Sequence, residues 1–402
     1  MEKFSIGIVR EGKVPPDFRV PLTPAQCAKI QMDYPQIEVI VQPSPIRRFK
    51  DEEYTAAGIR VQEDLSACDL IMGVKEMPIT ALIPAKKHMF FSHTIKKQSY
   101  NKKLLQAILE HKIQLIDYEV LKNRIGKRLI GFGRYAGIVG CYNGFRAFGL
   151  KTNSFFLKKA SECENRVELE EELKKVILPP NTKIVATGFG RVGFGAREIL
   201  NLLPIVEVAP NEFHQEFDQP VFTHLEVGDY YASIKNGAFD KKEFYEFPER
   251  YTSVFDRFAQ RSDMYIACHY WSSKSPFILS TETLKNGTAL KVVADISCDI
   301  AGPIASTLRP STITDPIYGY DPITEKEVDF QQSNAIAVMA VDNLPCELPK
   351  DASEDFGNDF MQFILPNFFN GDPDGILERG SETNLEGELM PLFNYLSEYV
   401  NS

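Results

Sequence analysis

A run of glycines near the middle of the chain limits what this protein can fold into. Residues Ala186 to Ala196 read ATGFGRVGFGA, which places Gly188, Gly190 and Gly193 at G-x-G-x-x-G spacing. The apolar stretch KIVAT precedes them, and Val192, Ala196, Ile199, Leu200 and Leu203 follow at helical intervals until Pro204 ends the pattern. Strand, tight turn and helix in that order make a phosphate-binding corner. Glycine lets the backbone approach a pyrophosphate, and the helix N-terminus offers free amide donors with positive potential. The pattern predicts a dinucleotide-binding α/β domain with Gly188, Gly190, Arg191 and Gly193 at the coenzyme.

More than a domain's length of chain precedes that loop. At 402 residues, and with roughly 150 residues per domain, two domains are expected. The N-terminal third alternates apolar strands (FSIGIV, IEVIVQ, LIMGVK, HMFFS, IQLIDYEVL) with helical stretches such as TPAQCAKIQMDY and NKKLLQAILEHK. That alternation predicts a mostly parallel sheet flanked by helices. Thr23 before Pro24 supplies a helix cap and a first-turn proline, so a helix starts there. After the glycine loop come PIVEVAP, MYIACHYW, KVVADIS and AIAVMAVDNLP as further strands, and LPKDASEDFGNDFMQFILPNFF reads as a helix with core-packing aromatics.

Composition removes several function classes. A net charge of −10 argues against a nucleic-acid partner. No apolar run approaches the roughly 18 residues of a membrane span, and the charged opening MEKFSIGIVREGK lacks the apolar core of a secretory signal. A cytoplasmic protein is expected. The seven cysteines (27, 68, 141, 163, 268, 298, 346) show no C-x-x-C and no histidine pair at metal spacing, so they read as buried thiols and no metal is expected.

Cationic residues gather just after the predicted strands of the first domain. Arg10, Lys13 and Arg19 follow the first, Lys75 lies in GVKEMP, and His93, Lys96 and Gln98 lie in FSHTIKKQ. Strand C-termini collect functional loops in parallel sheets, and Arg and Lys suit a substrate rich in carboxylates. Crowding by other cations disfavours the charged form of Lys75 and moves it toward the neutral base that proton transfer needs. Glu119 in LIDYEVL is a further candidate partner.

The set REGK…R.PLTP, GVKEMP, FSHTIKKQ, DYEVL, GFGRYAG, VVADISCDIAGP and VDNLPCELPKDASEDFG resembles the lysine-forming saccharopine dehydrogenases. GAREILNLLP, ERYTSVF and HYWSSKSP bring it closer to the lysine-ketoglutarate reductase half of aminoadipic semialdehyde synthase, within the wider alanine dehydrogenase and transhydrogenase group. The resemblance implies two Rossmann-like domains with parallel sheets and the active site in the cleft between them. The substrate domain would span 1–137 plus 350–402, and the dinucleotide domain 138–349. It implies reduction, by NAD(P)H, of the imine formed from L-lysine and 2-oxoglutarate, giving saccharopine reversibly, without a metal and with only small-molecule partners. Lys75 and His93 would be the acid–base pair. Lys13, Arg19, Lys96, Gln98, Glu119, Lys127, Arg128 and Phe132 would line the substrate site. Ser297, Cys298 and Asp299 would face the substrate, and Tyr270, Ile296, Val341, Asp342, Asn343 and Leu344 would border the coenzyme. The alternatives are an alanine dehydrogenase-like enzyme with a smaller acid pocket and a non-catalytic dinucleotide sensor.

Coenzyme choice turns on the strand after the glycine loop. An NAD site usually carries Asp or Glu at the end of the second strand, where it binds the ribose and repels a 2′-phosphate. PIVEVAP ends in Ala209, Pro210 and Asn211, with Glu207 inside the strand and Glu212 beyond it. With that acid missing and Arg191 as the nearest cation, NADP(H) is expected to be slightly favoured and NAD(H) accepted.

Overall fold

Strands and helices alternate through both halves of the chain, and the strands collect into two sheets. The computed structural model describes residues 3–401. Its contacts divide them into one unit running to Phe132 and resuming at Pro349, and a second, Gly133–Leu348. The sequence reading expects domain borders at 137/138 and 349/350, while these contacts change at 132/133 and 348/349.

The first unit holds β1 (Phe4–Ile8), β2 (Ile37–Val41), β3 (Arg60–Val61), β4 (Leu70–Met72), β5 (Lys87–Phe90) and β6 (Gln114–Asp117). They lie in the order β3-β2-β1-β4-β5-β6, every pair parallel. Their sequences are nearly unbroken apolar runs because helices cover both faces of a parallel sheet; Ile6, Ile8, Leu70 and Met72 are wholly buried. Strand order reverses between β1 and β4, which opens a crevice at their C-terminal ends.

Helices α1 (Pro24–Asp33), α2 (Asp51–Ala56) and α3 (Lys102–Glu110) flank the sheet. Thr23 starts α1 through a capping box: its hydroxyl accepts from the Gln26 amide at 3.3 Å and its own amide donates to Gln26 Oε1 at 3.0 Å. The helix Pro349–Asp359 returns to this unit. It is fastened by Val20 N–H to Ser353 Oγ at 2.9 Å and by Gln26 Nε2 to the Glu354 carbonyl at 2.8 Å. Phe356 and Phe360 of the aromatic tail are fully buried in its core.

The second unit begins with α4 (Gly133–Thr152) and α5 (Arg166–Leu173), then β7 (Lys183–Thr187), α6 (Arg191–Leu200), β8 (Val206–Glu207) and β9 (Val221–Leu225). A short hairpin, β10 (Tyr231–Ser233) with β11 (Tyr251–Ser253), precedes β12 (Met264–Ala267), β13 (Val292–Asp295), β14 (Ile317–Asp321), β15 (Lys326–Val328) and β16 (Ile336–Met339). The sheet order is β15-β14-β16-β13-β12-β7-β9-β8. It is parallel from β8 to β16, and β14 and β15 join antiparallel at one edge.

Two features differ from the sequence reading. The strand beside β7 is β9, not the PIVEVAP segment, whose β8 is a two-residue edge strand with both residues exposed. Position beside β7 demands burial on both faces, and VFTHL meets it because all five residues are buried. The polar His224 is accommodated by its Nε2 hydrogen bond, 2.7 Å, to the Gly188 carbonyl. The second difference is α4, a twenty-residue helix over a stretch that had no element assigned. Its glycines each cost helix stability, about 1 kcal/mol relative to Ala. Gly137 permits contact with α6 that no side chain allows: a Cβ there would lie 1.9 Å from the Val192 carbonyl oxygen, and one on Gly195 of α6 would lie 2.0 Å from that of Arg134.

Candidate active site

The loops after β1, β4, β5 and β6 bring the first unit's candidate residues together. Glu76 is the centre of the arrangement. One carboxylate oxygen accepts from Lys13 Nζ at 2.8 Å and the other pairs with His93 Nδ1 at 2.6 Å. Burial pushes Glu76 up, but the hydrogen bonds from His93 and Lys13 outweigh it and hold the carboxyl down to about 2. An ionised Glu76 accepts only, so Nδ1 carries a proton and Nε2 is the nitrogen open to proton exchange.

Beside it, Glu11 accepts from the backbone N–H of Val74 and Lys75 at 2.6 and 2.9 Å and so fixes the turn that carries Lys75. Desolvation and the Asp17 charge push Glu11 up to about 7 against those two donors and Arg19. Lys75 is lowered from the ordinary lysine range, first by desolvation and next by Arg19, with Asp17 opposing. Loss of water thus leads the crowding that the sequence suggested.

Arg19 is buried, with Nε 2.9 Å from Asp17 Oδ1 and Nη2 on Asp17 Oδ2. Burial raises Asp17, but the Arg19 charge and hydrogen bonds outweigh it and hold the carboxyl well below the usual range. The guanidinium carbon lies 4.2 Å from the centre of the Phe132 ring, which stacks on Phe356 at 4.4 Å. Two of the Arg19 donors are therefore committed to Asp17. Lys96 pairs with Glu119 at 3.5 Å, and Arg128 lies over Phe91 at 5.4 Å. Lys127 and Gln98 are more peripheral: the Lys127 amide donates to Asn123, and exposed Gln98 accepts from the Tyr100 hydroxyl.

In the second unit a cavity of about 660 Å³ opens over the glycine loop. It is lined by Gly188, Gly190 and Arg191, by Tyr270 and Ile296, and by Ser297 and Asp299. Each glycine has a separate role. Gly188 turns at φ +94°, and a Cβ on Gly193 would strike the Gly188 carbonyl oxygen at 1.8 Å. Gly190, which caps α6, has nothing within 4 Å of a Cβ position, and this is the open approach a pyrophosphate requires. Loop, cavity and helix N-terminus fit a dinucleotide.

Asp295, fully buried at the end of β13, shapes the next loop. Its Oδ1 accepts from Ser297 Oγ at 2.5 Å and from the Cys298 amide at 3.1 Å, and its Oδ2 accepts from Thr307 at 2.7 Å. Cys298 is left-handed at φ +52°, and its thiol, 3.1 Å from the Ala340 carbonyl, is raised by burial and by Asp295. Val341, Asp342, Asn343 and Leu344 are not among the lining residues; Leu344 packs with Ile296 against Gly140, behind the cavity. Glu207 pairs with Arg197 and Glu212 closes a turn on Ala209, so neither reaches the cavity.

Glu226, Glu76, Glu11 and Asp17 were missed in the sequence. Glu226 follows β9 directly and lines the cavity with the glycine loop, the place where a ribose acid belongs. Only the strand order reveals it. Glu76 adjoins Lys75, and that adjacency was the available signal. Among the described residues no group of three His, Cys, Asp or Glu side chains is placed to hold a metal, and no helix is long and apolar enough to cross a membrane.

A glycine-loop cavity in one unit and a cluster of carboxylates, lysines and a histidine at the strand ends of the other define a two-unit α/β fold with a dinucleotide-binding corner. Comparison with known proteins agrees. Residues 7–139 match the family described as Alanine dehydrogenase/PNT, N-terminal domain. The chain is 31% identical over 402 aligned positions to alpha-aminoadipic semialdehyde synthase of Arabidopsis thaliana, covering 89% of this chain and 38% of that protein. It is 26% identical over 377 positions to saccharopine dehydrogenase [NAD(+), L-lysine-forming] of Yarrowia lipolytica, covering 87% and 89%. A solved L-alanine dehydrogenase shares the fold, with TM-score 0.68 at 16% identity over 99% of this chain and all of that one. The chain spans about two-fifths of the length of the synthases it matches. Residues 7–139 are thus similar to an alanine dehydrogenase/PNT N-terminal domain, and most of the chain is similar to these synthases and to the lysine-forming saccharopine dehydrogenases.

Proposed function

We propose that the protein interconverts L-lysine, 2-oxoglutarate and a reduced nicotinamide coenzyme with saccharopine. The observation that carries this reading is the Lys13–Glu76–His93 chain beside a Lys75 depressed from its ordinary range. Imine formation needs lysine's ε-amine neutral and a proton delivered to the carbinolamine oxygen so that water leaves. Lys75 accepts the first proton, and the imidazolium form of His93 donates the second from Nε2, which leaves a neutral ring whose Nδ1 proton stays hydrogen-bonded to ionised Glu76. The coenzyme, when bound, supplies hydride to the imine carbon. Lys13, Lys96, Lys127 and Arg128 offer charge to the three carboxylates of the product. Arg19 adds its charge while bound to Asp17, and Gln98, Glu119 and Phe132 complete the lining. Ser297 and Asp299 serve the substrate from the coenzyme cavity, where Tyr270 and Ile296 border the nicotinamide and Val341–Leu344 support that wall.

For the coenzyme we propose NAD(H) ahead of NADP(H). The expectation of NADP(H) rested on PIVEVAP as the strand beside β7; with β9 in that place, Glu226 supplies the missing acid, and the Yarrowia relative is named for NAD(+). Lys241 lines the same cavity and gives a 2′-phosphate some compensation, so NADP(H) is accepted more weakly. All seven cysteines are unpaired, which suits a reducing compartment, and we place the protein in the cytoplasm. The test is oxidation of NADH followed near 340 nm with lysine and 2-oxoglutarate, then with pyruvate and ammonium. Turnover with the first pair supports the reading; turnover only with the second makes it an alanine dehydrogenase; coenzyme binding without turnover makes it a sensor.

A further inference from the structure

Two carboxylic acids are enclosed under the turn that carries His93, and one arrives from near the C-terminus. Asp117 ends β6, and Glu382 lies in a segment that pairs with that edge strand: its amide donates to the Leu115 carbonyl at 2.8 Å, and the Leu115 amide donates to Thr383 Oγ1 at 2.9 Å. Asp117, Glu382, Ser92 and Thr94 are all completely buried. Asp117 Oδ2 accepts from the Ser92 amide at 3.0 Å and from its hydroxyl, and Glu382 Oε2 accepts from the Thr94 hydroxyl at 2.5 Å. The two hydroxyls lie 2.6 Å apart and Ser92 Oγ is 3.4 Å from Glu382 Oε1, so the acids and hydroxyls close one network.

His93 sits between the two hydroxyl residues. Its backbone is left-handed, φ +54° and ψ +13°, which is unfavourable for a residue bearing a Cβ. Ser92 and Thr94, fixed by Asp117 and Glu382, hold the chain in that conformation and direct the imidazole to Glu76. The same Asp117 also accepts, through Oδ1, the Glu119 amide at 2.6 Å. Two like charges in a dry site do not ionise together, so the pair keeps a proton near neutral pH. Burial raises Glu382 most, with the Asp117 charge next, and burial likewise raises Asp117; Tyr118, Glu119 and Tyr395 are the other titratable groups that face them.

We infer that Glu382, hydrogen-bonded through Thr94 and Ser92 and sharing one proton with Asp117, is a positioning residue that sets the geometry of His93. The inference rests on His93 as the proton-transferring group proposed above. The neutral acid at 382 acts as both donor and acceptor, and glutamine reproduces that pattern: its amide N–H serves Asp117 and its carbonyl serves Thr94.

Glu382→Gln and Glu382→Leu separate this role from bulk packing. The protein has six histidines, so the His93 imidazole resonance is assigned by its loss in His93→Gln and titrated by NMR. Glu382→Leu is expected to move the His93 midpoint by roughly half a pH unit or more and to lower kcat about tenfold or more, with coenzyme affinity unchanged. Glu382→Gln is expected to retain the wild-type midpoint, with kcat within about twofold. A wild-type His93 titration in folded Glu382→Leu overturns the inference, and so does a glutamine variant as impaired as the leucine one. If Glu382→Leu does not fold, Thr94→Val removes the same link without emptying the acid site, and an unmoved midpoint there overturns it equally. Failure of the wild type to make saccharopine would defeat the proposed reaction, while the imidazole titration would still decide the role of Glu382.

Discussion

Gly137 and Gly190 should fail in opposite ways when replaced by alanine. At Gly137 the new methyl would lie 1.9 Å from the Val192 carbonyl oxygen and 2.7 Å from the Ala196 nitrogen. Both are backbone atoms of α6, so no side chain can rotate away, and the two helices must separate by about 1 Å to restore contact. Overpacking of that kind costs roughly 3 kcal/mol, against about 1 kcal/mol gained from alanine's helix propensity. The net loss of about 2 kcal/mol corresponds to a melting point lower by roughly 4–8 °C for a unit of this size. At Gly190, φ −87° is open to alanine and nothing lies within 4 Å of the methyl, so the fold should tolerate the change within about 0.5 kcal/mol. The methyl instead occupies the path of the pyrophosphate, and coenzyme affinity should fall tenfold or more, about 1.4 kcal/mol. Calorimetry reads the first effect. The single tryptophan, Trp271, lines the cavity and reports the second through quenching by NADH. A Gly137→Ala protein that melts with the wild type would refute the helix-contact argument, and a Gly190→Ala protein with undiminished affinity would show that the dinucleotide binds elsewhere.

Glu226→Ser should raise the ratio of kcat/KM for NADPH to that for NADH by about tenfold or more; an unchanged ratio would remove Glu226 from the ribose. Lys75→Met and His93→Gln should each reduce kcat by roughly 10²- to 10⁴-fold while Trp271 quenching shows coenzyme affinity within about twofold, and wild-type turnover in both would end the acid–base assignment. His88 is buried, and burial lowers it to about 4 from 6.5, with a carbonyl contact from Lys86 opposing. Below pH 6.5 the unfolded chain binds the extra proton, so stability falls as the pH drops toward 4. About 2 kcal/mol should be lost between pH 7 and pH 5 from this group, and urea melts of His88→Gln should show a correspondingly shallower slope over that interval.

Local chemistry was legible wherever a residue's role depends on its neighbours in sequence. The Thr23-Pro24 cap, the glycine loop and the apolar strands of the first sheet each announce themselves within a few residues, because capping, turning and burial on a parallel sheet are set over that distance. Lys75 and His93 were visible for the same reason, as polar residues just past apolar strands. What stayed hidden depends on pairing across the fold. PIVEVAP is as strand-like as VFTHL when read singly, yet the sheet gives the inner place to the second, and the carboxylate that follows it and lines the glycine-loop cavity is Glu226. Helix α4 was hidden by the same logic in reverse: glycine argues against a helix by propensity, and only its neighbours across the fold, α6 at Gly133 and Gly137, Ile296 and Leu344 at Gly140, Met264 and Ala294 at Gly144 and Phe155 at Gly149, make five glycines in twenty residues an advantage. Glu76 adjoins Lys75 in sequence, but its value lies in meeting Lys13 from the loop after β1 and His93 from the loop after β5. A carboxylate that collects hydrogen bonds from two strand-end loops is defined by the crevice where strand order reverses, so it becomes recognisable only after the order β2-β1-β4-β5 is known.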